Sequence, residues 1–103
     1  MKTNIQIMDC TLRDGSYAVN FQFTSRDTSN ICSKLEEAGI NLIEIGHGLG
    51  LGIKSPHLGI PFENDIEYIR SAVSSVSHAK IGAFFIPKIS SKRTCSYIFW
   101  QVK

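Results

Sequence analysis

Ile40 to Gly50 reads I-N-L-I-E-I-G-H-G-L-G. Ile40, Leu42, Ile43 and Ile45 run almost without interruption into a glycine-rich loop. A strand with one wet face alternates apolar and polar residues, whereas a strand covered on both faces reads as a near-continuous apolar run. The stretch therefore predicts a strand of a parallel sheet, with cover on both sides. Glu44 interrupts the run, and a carboxylate buried in a strand needs a partner. It either pairs with a cation on a neighbouring strand or faces the solvated rim.

Working outward, the flanking segments carry helix signals. Upstream, Thr24 and Asp27 have the spacing of a capping pair, and Ile31, Leu35 and Ala38 follow at helical spacing. Gly39 stands where a helix end favours a left-handed residue. Downstream, the segment from Gly46 to Phe62 has five glycines and two prolines, too many breakers for regular structure. Asn64 and Glu67 repeat the capping spacing, and Ile66, Ile69, Val73 and Val76 define a second helix.

Two more apolar runs complete the order. Ile5, Ile7 and Met8 predict a first strand; Ile81, Ala83, Phe84, Phe85 and Ile86 predict a third, stopped by Pro87. Strand, helix, strand, helix, strand is a βαβαβ unit, and the right-handed crossover rule makes its sheet parallel. After Pro87 the pattern weakens. Residues 88–103 form a divergent tail in which Ser90 and Ser91 offer the cap of a third helix, although Tyr97 to Trp100 is a bulky apolar cluster with poor amphipathic spacing.

At 103 residues the chain holds at most one ordinary domain. With 43% hydrophobic and 19% charged residues it is globular rather than disordered. A net charge of +2 is too small to argue for nucleic acid, and Lys88, Lys92, Arg93 and Lys103 read as a solvated basic end. No apolar run is long enough to span a membrane, and Met1 to Met8 carries no signal-peptide core. Cys10, Cys32 and Cys95 are odd in number and widely spaced, which suits free thiols in a reducing cytoplasm.

The chemistry concentrates in the two loops that follow the first and second strands. In parallel α/β folds that edge of the sheet is where sites are built. Asp9 to Gln22 reads D-C-T-L-R-D-G-S-Y-A-V-N-F-Q. Arg13 and Asp14 alternate across an extended chain, but a turn at Gly15 can aim both toward the rim. A guanidinium there neutralises a developing enolate, and a carboxylate beside it suits Mg²⁺ or Mn²⁺. The same pair also serves as a surface ion pair closing a loop. His47 lies two residues beyond the strand among glycines that let a backbone approach a ligand. These glycines form no dinucleotide-binding fingerprint. His57 and His78 have no partner at metal-ligand spacing, and Tyr68 and Tyr97 read as structural.

D-C-T-L-R-D-G resembles the first-strand signature of the DRE-TIM metallolyases, metal-dependent aldolase and acyl-transferase barrels. I-E-I-G-H-G-L-G-L-G, F-E-N-D-I-E-Y-I and S-H-A-K-I-G are similar to its 4-hydroxy-2-oxovalerate aldolase branch, and the likeness runs from about Ile5 to Pro87. It implies that residues 1–87 are the N-terminal part of a TIM (β/α)8 barrel. The implied reaction is retro-aldol cleavage of a 4-hydroxy-2-oxo acid to pyruvate and an aldehyde through a metal-bound enolate.

By the same resemblance Arg13 stabilises the enolate oxygen, Asp14 is a metal ligand, and Asp9, Glu44 and His47 support the site or touch substrate. An acylating aldehyde dehydrogenase is the implied partner. Tyr17 stands where aldolases of that branch place a histidine for proton transfer. A phenol can exchange a proton, but base work at neutral pH asks for a large perturbation.

The family's H-x-H metal pair is absent from the 103 residues, and a whole barrel takes about 250. A truncated or frameshifted reading frame, inactive alone and short of a full metal site, is the expectation. The alternatives are another acyl-CoA lyase or synthase of the superfamily, or a non-catalytic interaction fragment that self-associates through its exposed sheet edge.

Overall fold

The computed structural model describes residues 4–86 and 96–101, the latter for backbone only. The described elements are β1 (Met8–Asp9), α1 (Ser25–Glu37), β2 (Leu42–Ile45), α2 (Asp65–Ser75), β3 (Lys80–Phe85) and β4 (Ser96–Gln101). Their sheet order is β1-β2-β3-β4. The first three strands are parallel, with Met8 opposite Leu42 and Ile43 opposite Ile81. The βαβαβ expectation therefore holds, and the site-bearing loops leave the same edge of the sheet.

Local chemistry sets the helix limits. Thr24 accepts from the Asp27 amide at 3.0 Å, and Asp27 accepts from the Thr24 amide at 2.9 Å, a complete capping box. Gly39, at φ 95°, follows the last turn in a conformation that a side chain resists. Asn64 caps α2 by accepting from the Glu67 amide at 2.9 Å. Ser29 of α1 donates to the Ser71 carbonyl of α2 at 3.2 Å, tying the helices together.

Both helices pack on one face of the sheet. Ile43, Ile45 and Ile81 share a buried core with Leu12, Cys32, Tyr68, Ala72, Val76 and Ala79. Alternation sends Glu44 to the opposite face, in register with Gly82 of β3. Glu36 adds a connection with no local sequence signal. From α1 its carboxylate accepts from the amides of Ser77, His78 and Ala79, which lead into β3.

Three expectations change. The first strand pairs only at Met8 and Asp9, and Ile5 and Ile7 are exposed, because β1 is a sheet edge among the described residues. Ile66 lies on the outside of α2, whose inward residues are Tyr68 and Ala72. In the tail, residues 96–101 form a strand antiparallel to β3 rather than part of a third helix. Tyr97 to Trp100 is rich in aromatic and β-branched residues that favour strands, and β3 offers an edge to pair with. Ser90, Ser91 and the basic tail residues lie outside the described residues.

Candidate active site

The D-C-T-L-R-D-G-S-Y stretch leaves β1 as a turn and then a 3-10 helix, Asp14–Val19, rather than as extended chain. Asp9 shapes the exit by accepting from the amide and hydroxyl of Thr11 at 2.9 and 3.0 Å. The Asp14 amide then closes on the Cys10 carbonyl at 2.8 Å. This curvature separates two side chains that are adjacent in sequence. Arg13 turns inward over the sheet, whereas the side chain of Asp14 is 72% exposed. Their closest approach is 3.9 Å, a loose ion pair.

Arg13 has stronger partners. Its Nε donates to Oε1 of Glu44 at 2.8 Å, and Nη1 donates to the Gly48 carbonyl at 3.0 Å. The guanidinium also lies over the Phe84 ring, 5.0 Å from its centroid. Burial works against the Arg13 charge, but the hydrogen bond and charge of Glu44 outweigh it and raise its affinity for the proton. Glu44 is fully buried, and its second oxygen, Oε2, makes no hydrogen bond among the described residues. The Cys10 thiol, a weak donor, lies beside this carboxylate. Burial, reinforced by Glu44, pushes that thiol up to about 11, and burial pushes Cys32 to about 12. Both are therefore protonated and poorly reactive at neutral pH.

The loop after β2 is locked to the loop after β1. Ser16 donates to the Arg13 carbonyl at 2.6 Å and accepts from the Gly48 amide at 2.9 Å. Both polar backbone groups of Gly48 are thus engaged by the first loop. The Tyr17 ring rests directly on Gly48, where an added Cβ would lie only 2.2 Å from the ring. Tyr17 meets Phe21 edge-on at 5.3 Å, and Phe21 stacks on His47 at 4.9 Å. Phe21 is buried although its φ is 63°, a left-handed conformation costing about 1–3 kcal/mol for a non-glycine residue. The strain places its ring between Tyr17 and His47.

His47 is buried, with Nε2 3.9 Å from Oδ1 of Asp65 and Nδ1 without a hydrogen-bond partner among the described residues. Burial lowers its proton affinity and Asp65 opposes this only in part, so the ring is neutral near pH 7. The structure thus brings Arg13, Glu44, Tyr17 and His47 into one connected group, with Asp14 at its outer edge. Asp9 instead shapes the turn. Ser16, Phe21 and Asp65 carry no local sequence signal for this role; only their long-range contacts reveal them.

Asp14 offers one exposed carboxylate. Among the described residues no three histidine, cysteine, aspartate or glutamate side chains gather as a cation would require. These residues alone therefore do not fit a divalent metal. Among them, too, no helix is long and apolar enough to cross a membrane.

The profile of the HMGL-like family matches residues 4–94, and the chain belongs to that family. It is 41% identical over 91 residues to a 4-hydroxy-2-oxovalerate aldolase of Rhodococcus jostii, covering 88% of this chain and 26% of that protein. An aldolase of the same name from Geobacillus genomosp. 3 is 41% identical, with 89% and 27% covered. An oxaloacetate decarboxylase of Mycobacterium tuberculosis is 44% identical, with 85% and 26% covered. The chain spans about a quarter of the length of these curated relatives.

Proposed function

We propose that this chain supplies the enolate-stabilising part of a carbon–carbon lyase that cleaves a 4-hydroxy-2-oxo acid to pyruvate and an aldehyde. The observation that carries this reading is the tethering of Arg13 by Glu44 and Gly48 at the mouth of the sheet. As a base takes the C4 hydroxyl proton, C4 becomes the aldehyde carbonyl and the C3–C4 electron pair delocalises onto the C2 oxygen as an enolate, which gains a proton at C3 to give pyruvate. A guanidinium already oriented stabilises that oxygen without reorganising during the step. Two of its donors hold it in place, and a guanidinium carries others for substrate.

Asp14 is the oxygen donor that these residues would contribute to Mg²⁺ or Mn²⁺; the other ligands must come from elsewhere. A cytoplasmic setting, from the free thiols, an acylating aldehyde dehydrogenase partner, from the family resemblance, and self-association through the β1 edge belong to the same proposal.

A chimera tests the reading: residues 4–86 replace the matching segment of the Rhodococcus aldolase, and pyruvate release is measured with Mn²⁺. The chimera is expected to cleave the substrate, and Arg13→Lys to lower turnover by about 10²–10³-fold, as when an oxyanion donor is lost. A folded, Mn²⁺-binding chimera that releases no pyruvate would overturn the reading.

Tyr17 favours a second reading, decarboxylation of a 2-oxo diacid. Loss of CO₂ also yields a pyruvate enolate but removes no hydroxyl proton, so it does not need the missing histidine. The same chimera releasing pyruvate from oxaloacetate and not from the hydroxy acid would select it.

A further inference from the structure

Between the β2–α2 loop and the end of the 3-10 helix lies a cavity of about 420 Å³. This is within the range of small-molecule sites, about 300–1,000 Å³. Phe21, Ile53, Ile60 and Pro61 make much of its wall apolar, while His47 and Asp65 bring polar groups to it. Lys54 also lines it, but with the carboxylates of Glu63 and Asp65 nearby the lining does not suit an anion.

The polar pair is fixed from both sides. Asp65 accepts from the Gly52 amide through Oδ2 at 2.8 Å, which leaves Oδ1 turned toward His47. His47 is held by its stacking on Phe21. At 3.9 Å, Nε2 and Oδ1 are too far apart for a direct hydrogen bond. Nδ1 is buried and has no hydrogen-bond partner among the described residues, so the network assigns the ring proton to Nε2, facing the carboxylate. A donor and an acceptor thus face each other across a gap.

We propose that this cavity binds a small alcohol with an apolar body, whose hydroxyl bridges His47 and Asp65. A hydroxyl both accepts and donates, so one oxygen can take the Nε2 proton bond and give its own to Oδ1. A carbonyl has no proton for Asp65, and a carboxylate meets like charge. The apolar wall then adds transfer free energy for each buried methylene. The pocket stands on this geometry; that its natural occupant is the hydroxyl-bearing, aldehyde-derived end of the oxo acid rests on the aldolase reading.

The test is an NMR titration of the isotopically labelled full chain with n-hexanol, ethanol and hexanoate. n-Hexanol is expected to produce saturable shifts at the His47 ring and the Ile53 and Ile60 methyls, with ethanol and hexanoate binding at least tenfold more weakly. Asp65→Asn should weaken n-hexanol about fivefold, the value of one hydrogen bond, because the Gly52 amide takes the asparagine oxygen and an NH₂ faces the hydroxyl. His47→Phe should weaken it similarly; if that variant loses its native amide spectrum, Asp65→Asn decides.

Absence of saturable shifts, hexanoate binding as tightly as n-hexanol, or wild-type affinity in Asp65→Asn would overturn the proposal. Hexanol binding alongside an inactive chimera would sink only the aldolase reading. An active chimera without hexanol binding would sink only the pocket.

Discussion

Arg13 and Glu44, 31 residues apart, are joined by a 2.8 Å hydrogen bond on the face of the sheet opposite the helices, where Glu44 is completely buried. A buried charge is tolerated because its partner is fixed, and removing only one member exposes the desolvation cost of the other. Arg13→Ala should destabilise the chain by about 3–5 kcal/mol in urea unfolding. Replacing both, as Arg13→Met with Glu44→Leu, should recover most of that loss. A double variant no more stable than Arg13→Ala would show that the pair is not the source of the cost.

Gly48 and Tyr17 make a second coupled pair. Gly48→Ala puts a methyl into the tyrosine ring and should cost about 1–3 kcal/mol, as overpacking does. In the Tyr17→Ala background the same substitution should cost much less. A double-mutant cycle in thermal unfolding measures the difference, and strict additivity would refute direct contact.

The Glu36 clamp predicts acid sensitivity. The backbone amide of His78, followed by those of Ser77 and Ala79, lowers the proton affinity of Glu36 in the folded state. A depressed carboxylate stabilises the fold above its unfolded value, about 4.5, and that stability is lost as the pH falls through the folded value. Glu36→Gln should lower the Tm at pH 7 and flatten its dependence below about pH 4.5, checked by calorimetry across that range.

His47 acts at higher pH. Burial depresses its folded pKa below the ordinary 6.5, so the unfolded chain takes up the proton first as pH falls. Its contribution is fully present above about pH 6.5 and declines below it. His47→Phe should remove that part of the slope between pH 7 and 5. An unchanged slope would mean that His47 is not the titrating group.

Much of the architecture was legible locally. The capping pairs at Thr24/Asp27 and Asn64/Glu67, the glycine at 39 and the apolar run ending at Ile45 each encode an element through neighbouring residues. Their order entails a parallel sheet and puts both motif loops on one rim. The family motif likewise lies in one short segment.

What the linear chain left open depended on distant contacts. Its spacing allowed Glu44 either to pair with Arg13 or to face solvent, and gave no sign that Ser16, Glu36 or Asp65 would matter. Glu36 looked like any acid near a helix end until its three amide partners arrived from more than 40 residues away. The tail's strand needed the free edge of β3 as well as its own propensity. By itself, then, the sequence determined the elements as far as β3, their order and the rim, because propensity and capping act over a few residues. Only the tertiary structure decided which charges are buried together and where the gap between His47 and Asp65 opens, because burial and hydrogen bonding depend on what lies across space.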